Sequence, residues 1–294
     1  MAVWRNWQTQ WTQNPPGATP SRFDSGDGHS KQLEAQGVWG YGSAAVINLL
    51  LSLAAGLLAF LLFYLTGIAH AWGSVLPGVA AFLGAFILLG RRTGKQLEAV
   101  MATVQKEMQA RKPEKAVEIL QQSFPLARWQ FGIASSLNAN IGALLYVQKK
   151  FDEAEVYLRK GASAPFLKLW LAQAMLGANA YRKKNYAEME RILDGAMKSS
   201  KNESLLYAMY AWCEAQRGEK KKAIEILQKG VTENPSDEKL KTLLQRAQND
   251  KRLKMDVFGE QWWQFWLETP PMMQGPGGGA VFSGRQRFGR GFRR

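Results

Sequence analysis

Hydrophobic and polar positions divide the chain into an uncharged stretch and a densely charged one. No Asp, Glu, Lys or Arg occurs between Ala35 and Gly90, whereas charged residues are frequent from Arg91 onward. Uncharged stretches of this length are typical of membrane helices, because about 20 apolar residues cross the hydrocarbon core of a bilayer. The change of pattern therefore marks a boundary near residue 91.

The uncharged stretch predicts two transmembrane helices within residues 41–91. The first run covers about residues 44–67 and the second about residues 71–90, with a short connector between them. Helices suit such runs because backbone polar groups must be satisfied internally in lipid. The pattern therefore predicts a helical hairpin in a membrane. A buried helical pair of a soluble protein is the alternative, which two adjacent runs of this length disfavour.

The charges that flank the two runs predict their orientation. The connector contains no Lys or Arg, whereas Lys31 precedes the first run and Arg91, Arg92 and Lys95 follow the second. Basic residues favour the cytoplasmic side of a membrane. We therefore expect both termini to be cytoplasmic, in a bacterial inner membrane. A eukaryotic organelle stays open, since the first 23 residues contain no acid.

Residues 94–254 alternate helical segments with short breaks, and the segments repeat. The repeated segments align on Ala116, Ala154, Met189 and Ala223, which are 38, 35 and 34 residues apart. Twelve positions before each of these stand mostly small residues, namely Val104, Gly142, Gly177 and Ala211. A period of this length indicates stacked helix pairs. We expect each unit to contain a helix A whose small residue lies where helix B crosses it closely.

This pattern resembles the tetratricopeptide repeat, a pair of helices about 34 residues long. The resemblance covers four units at about 97–130, 135–168, 170–203 and 204–237, followed by a predicted capping helix at 237–253. The last unit, which closes with Pro235, matches best, and Met189 replaces the expected Ala in the third. The resemblance implies an all-α solenoid with a concave groove, so the predicted fold is a transmembrane hairpin followed by this solenoid, with disordered tails at both ends.

The resemblance also implies which residues line the groove. It places Tyr146, Tyr181, Arg182 and Trp212 there, and aromatic and Arg side chains are the types that anchor protein interfaces. Positions that hold a carboxylate-binding clamp in some members of the family carry mostly Ala and Leu in this chain. A hydrophobic peptide or helix is therefore the expected ligand. The alternative is that each ring only packs between repeats.

Two further segments concentrate aromatic residues. Within residues 1–40, expected to be mostly disordered, Trp4, Trp7 and Trp11 fall on one face of a helix, which predicts an interfacial membrane helix. Residues 255–268 contain five large rings, at Phe258, Trp262, Trp263, Phe265 and Trp266. We expect this second segment to dock on the membrane or on a partner, in preference to folding back on the repeats.

The chain is basic, with a formal net charge of +14. Residues 269–294 are rich in Gly and Arg and are expected to be disordered. Their basic positions are Arg285, Arg287, Arg290, Arg293 and Arg294. Such a tail suits anionic lipid or an acidic protein surface, and single-stranded nucleic acid is a less favoured partner.

The sequence carries no motif for catalysis or for a cofactor. It lacks a glycine-rich phosphate loop between a strand and a helix, and Cys213 is its single cysteine, with no nearby His. We therefore expect a non-enzymatic scaffold or adaptor that assembles a membrane-associated complex. Two alternatives remain: a membrane-tethered nucleic-acid binder, and a structural subunit of a large membrane complex.

Overall fold

A computed structural model describes residues 47–66, 71–164, 167 and 169–269 of the chain. Within these residues the chain is helical and contains no β-strand, which confirms the predicted all-α class. The α-helices are α1 (Ile47–Leu65), α2 (Ala71–Gln109), α3 (Pro113–Gln122), α4 (Ile133–Val147), α5 (Phe151–Ala162), α6 (Trp170–Arg182), α7 (Tyr186–Ser199), α8 (Ser204–Arg217), α9 (Lys220–Glu233), α10 (Glu238–Gln248) and α11 (Glu260–Trp263). Two 3-10 turns cover Phe124–Arg128 and Met255–Phe258.

Helices α1 and α2 are both long and apolar enough to cross a membrane. They pack against each other in opposite directions, since Gly56 lies beside Phe82 while Gly78 lies beside Phe60. The buried Asn48 side chain donates a hydrogen bond of 3.0 Å to the hydroxyl of Thr93, so polar groups meet between the helices. Their other faces expose large leucine side chains along the whole length of the pair.

Helix α2 continues without a break from the apolar stretch into the repeat region. It contains 39 residues, and its C-terminal third contributes Met101, Val104 and Met108 to the core formed with α3. The sequence boundary near residue 91 therefore falls inside a single helix. Because no flexible linker separates the two parts, the repeat helices are coupled directly to the apolar pair.

The following helices pair in sequence order, and each pair crosses at a small residue. A Cβ atom on Gly142 would lie 2.7 Å from the side chain of Leu158, and one on Gly177 would lie 2.5 Å from that of Leu193. Glycine is thus needed for this close approach, which confirms the prediction for these two units. The corresponding residues of the other units are Val104 with Leu120 and Ala211 with Leu227, all buried.

The turns between paired helices also recur. In each, a residue with positive φ follows the first helix, namely Arg111, Lys149, Lys184 and Gly218, and Asp250 takes the same conformation after α10. At the third turn the Lys184 amide donates to the Tyr181 carbonyl and the Asn185 amide to the Ala180 carbonyl. This pair of bonds is a Schellman motif, which satisfies the carbonyls at a helix C-terminus. The same two bonds form at all five turns.

Candidate interaction groove

The aromatic segment, residues 255–268, folds back on the repeat helices. Trp262 and Phe265 have no exposed surface, and Phe258 is buried as well. The preference for docking on a membrane or partner was therefore wrong for the chain by itself. Burial of each such ring stabilises the folded chain by about 1.5–3 kcal/mol, and the repeat surface offers an apolar site within reach of the segment.

Three of the four predicted groove residues, Tyr146, Arg182 and Trp212, contact this segment, and Tyr181 packs against Trp212. Tyr146 is near the end of α4, Tyr181 and Arg182 end α6, and Trp212 is on α8, so equivalent helices of three successive units supply them. Tyr146 and Trp212 are buried and the other two are half-buried. The structure thus brings residues of the two sequence-predicted sets into contact within one chain.

A row of aromatic rings forms the apolar part of the contact. The centroid of the Trp262 ring lies 5.2 Å from that of Trp212 in an edge-on arrangement, and Trp212 in turn lies 5.9 Å from Tyr181. Phe265 extends the row, 6.1 Å from Trp262. Edge-to-face pairs at these separations stabilise a contact beyond the burial of area alone.

Two side chains bind the main chain of the segment. The Tyr146 hydroxyl donates to the Phe265 carbonyl at 3.0 Å. The Arg182 guanidinium donates to the carbonyls of Phe265 and Trp266 at 3.1 and 3.2 Å, and it stacks 3.6 Å above the Phe151 ring. Burial raises the pKa of the Tyr146 hydroxyl, which therefore stays protonated and able to donate. Since every peptide has backbone carbonyls, these donors bind the main chain of the segment independently of its side chains.

The segment is also fixed at its ends. Glu268 accepts hydrogen bonds from the Trp262 indole at 3.0 Å and from Arg252 at 2.8 Å. The Lys149 ammonium lies 4.1 Å above the Trp266 ring. Gly259, with φ +57° and ψ −136°, makes the bend before α11 in a conformation that side chains disfavour. These contacts hold residues 252–268 in one conformation against the repeat helices.

Sequence reasoning missed several members of this site. Lys149, Arg252 and Glu268 had no distinctive pattern, because Lys149 packs on Trp266 and Arg252 pairs with Glu268, contacts between residues at least 16 positions apart. Other predicted residues lie outside the described part of the chain. These are Trp4, Trp7 and Trp11, and Arg285, Arg287, Arg290, Arg293 and Arg294.

A charged network lies beside the groove, on α7, α8 and α9. Arg217 contacts Glu190 at 2.6 Å and the fully buried Glu214 at 2.8 Å, and Lys222 contacts the same two carboxylates. Burial raises the pKa of Glu214, although Lys222 opposes the shift. The neighbouring Cys213 is buried and burial raises the pKa of its thiol, so this cysteine is a core residue as expected.

Comparisons with known proteins leave the site to be interpreted from its own chemistry. No family model matches the chain, and no curated protein matches it significantly. The contact joins a row of aromatic rings with a hydroxyl and a guanidinium that bind backbone carbonyls of the same chain.

Proposed function

We propose that this protein is a membrane-anchored scaffold of the tetratricopeptide type, whose groove recruits a partner protein to a membrane-associated complex. The observation that carries the proposal is the groove itself. Tyr146, Arg182 and Trp212, from three successive units, converge on one short segment and bind both its rings and its carbonyls. Such convergence is characteristic of surfaces that recognise peptides.

Several features support the proposed repeat family. In each helix pair, the small residue of the first helix lies 16 positions before the leucine of the second helix at the crossing, as in Gly142 with Leu158. The turns recur with the same hydrogen bonds. A chain that repeats both its helix crossings and its turns builds a stack with an elongated surface, and that surface supplies the groove.

The membrane anchor is supported by the surface of α1 and α2. Their leucines are largely exposed, for example Leu62 at 63% and Leu88 at 67%, which is unfavourable in water and favourable in lipid. In this proposal the pair is a transmembrane hairpin in a bacterial inner membrane, with the repeats in the cytoplasm. The continuity of α2 then holds the groove at a fixed distance from the bilayer.

The occupant of the groove indicates the kind of partner it takes. The aromatic segment presents Trp262 and Phe265, three residues apart, and offers the carbonyls of Phe265 and Trp266 to the donors. We propose that a partner carries a short segment of the same chemistry. Because the tethered segment competes at an effective concentration on the order of millimolar, the partner binds only when its affinity or local concentration overcomes this competition.

A peptide-binding measurement tests the groove. The probe is a fluorescent peptide with the sequence of residues 255–268, added to the purified full-length protein in detergent. The variant W262A/F265A releases the segment and is expected to bind the probe at least 10-fold more tightly than the unchanged protein. Adding R182M to that variant should abolish the gain. If all three proteins bind the probe equally, the groove is not a peptide site.

A crosslinking experiment tests the scaffold function. Partners are captured from gently solubilised membranes with the unchanged protein, with W262A/F265A, and with W262A/F265A/R182M, each with and without nuclease. The proposal expects a defined set of proteins that is enriched by releasing the segment, is lost with R182M, and survives nuclease. Capture that disappears with nuclease would favour a nucleic-acid binder instead. V257A, a change at an exposed position of the segment, serves as the matched control.

A further inference from the structure

The connection between α3 and α4, residues 123–132, exposes two large aromatic side chains. Trp129 is 41% exposed and Phe131 is 56% exposed. Apart from α1 and α2, the part of the chain that the structure describes exposes only two other large hydrophobic side chains to a similar extent, Val156 and Val257. Two exposed rings this close together mark a surface that meets something apolar.

The main chain places this connection at the end of the apolar helix pair. The backbone amide of Asn48, in the first turn of α1, donates to the Trp129 carbonyl at 3.2 Å. The side chain of the same Asn48 reaches Thr93 on α2, next to Arg91 and Arg92. Trp129 therefore lies at the level where the apolar surface of the pair gives way to charge.

The connection between α3 and α4 has a defined backbone conformation. The turn at Ala110–Lys112 reverses the chain, so α3 runs back along α2 toward the apolar pair. The 3-10 turn Phe124–Arg128 and Gly132, with φ +88°, then lead the chain into α4. The repeat spacing is 38 residues at this point and 34 or 35 elsewhere, so extra residues form the connection.

We infer that the 123–132 connection is an interfacial anchor, with Trp129 and Phe131 inserted among the lipid headgroups on the side of the bilayer that carries the repeats. The inference rests on the proposed membrane span of α1 and α2. Tryptophan prefers the headgroup region because its ring is apolar while its indole N–H remains hydrogen-bonded.

Charge and geometry both fit a lipid surface. Arg91 and Arg92 are exposed at the same level and suit anionic headgroups. A single pair of membrane helices lets the repeat domain tilt relative to the membrane normal. A second contact at Trp129, which lies off the axis of the pair, restricts that tilt. The anchor therefore sets the direction in which the groove faces.

Spin-label accessibility tests the inference in the full-length protein. The protein is reconstituted into vesicles of phosphatidylcholine with phosphatidylglycerol, and a nitroxide is attached to one introduced cysteine at a time. The test positions are Trp129→Cys and Phe131→Cys. Leu57→Cys, exposed in the middle of α1, is the lipid reference, and Lys229→Cys, exposed on α9, is the aqueous reference. Cys213 is buried and is expected to stay unlabelled.

The collision rates with oxygen and with a nickel chelate give the depth of each label. The expected result is that both test labels are at least threefold less accessible to nickel than Lys229→Cys, at a depth between the two references. If both match Lys229→Cys while Leu57→Cys lies in lipid, the anchor is refuted and the membrane span stands. If Leu57→Cys is itself in water, the proposed membrane span fails and the anchor fails with it.

Discussion

The indole ring of Trp262 packs edge-on against that of Trp212, with 5.2 Å between the ring centroids. The two residues are 50 positions apart in sequence: Trp262 lies on α11 and Trp212 lies on α8. Their contact makes the aromatic segment and the repeat helices parts of one folded unit.

The first prediction concerns the guanidinium that holds the segment. In R182M the segment loses two charge-assisted hydrogen bonds to its carbonyls and the stacking on Phe151, and we expect the folded state to lose about 2–3 kcal/mol. Chymotrypsin should then cleave within residues 258–266 at least 10-fold faster than in the unchanged protein. R191M is the matched control, because Arg191 is 70% exposed and pairs with Glu188, outside the aromatic segment. Equal cleavage rates in both variants would contradict the role of Arg182.

A second prediction uses the recurring turns. Lys184 has φ +59°, a conformation that costs an L-residue more than it costs glycine, so Lys184→Gly should raise the free energy of unfolding by about 0.5–1 kcal/mol. Gly218 occupies the same position in the turn of the next unit. Gly218→Ala should lower the free energy of unfolding by about 1 kcal/mol. No atom lies within 4 Å of a Cβ on Gly218, so this loss would come from the backbone alone. Urea unfolding followed by circular dichroism measures both, and a loss of stability in Lys184→Gly would refute the argument.

Much of this fold follows from patterns that are local in sequence. Gly177 and Leu193 were predictable as a crossing because the repeat period places a small residue and a leucine at a fixed offset in every unit. The two apolar helices were predictable from hydropathy. The unbroken course of α2 was not, since the change from uncharged to charged residues at Arg91 indicated a boundary, whereas helix propensity and the packing of Met101 and Val104 carry the helix onward.

The site was predictable in its parts but not in its assembly. Tyr146, Arg182 and Trp212 were placed on one surface by the resemblance to the tetratricopeptide repeat. Nothing local to Trp262 or Phe265 decides between a membrane, a partner and the protein's own groove, because all three offer apolar contact. That choice depends on Arg182 meeting the carbonyls of Phe265 and Trp266, a relationship across more than 80 residues.

A third prediction is a pH dependence. Hydrogen bonds from Arg191 and Arg159 lower the pKa of Glu188 to about 2, from an ordinary value of 4.5. Since the folded pKa is the lower one, these pairs stabilise the protein fully above pH 4.5, and the contribution is lost as the pH falls toward 2. Glu188→Gln should thus reduce the free energy of unfolding by about 1 kcal/mol at pH 7, a value discounted for solvent screening, and by almost nothing at pH 2.

Urea unfolding of the two proteins between pH 7 and pH 2 measures this difference. Glu225→Gln, at an exposed carboxylate on α9, serves as the control for a general loss of negative charge. A difference between Glu188→Gln and the unchanged protein that stays constant across this range would show that Glu188 acts through packing and not through its charge.

A fourth prediction concerns the close approach of α1 and α2. A Cβ on Gly56 would lie 2.9 Å from the Cβ of Phe82 and 3.0 Å from the carbonyl oxygen of Gly78, so Gly56→Leu must force the helices apart, at a cost of about 1–3 kcal/mol. Gly84→Leu is the matched control on α2, because no atom lies within 4 Å of a Cβ there. The measurement is disulfide formation between Phe60→Cys and Gly78→Cys in vesicles. It should slow at least fivefold with Gly56→Leu and stay unchanged with Gly84→Leu, because the bond requires Cβ atoms about 4 Å apart. Equal rates in the two backgrounds would mean that the helices do not meet at Gly56.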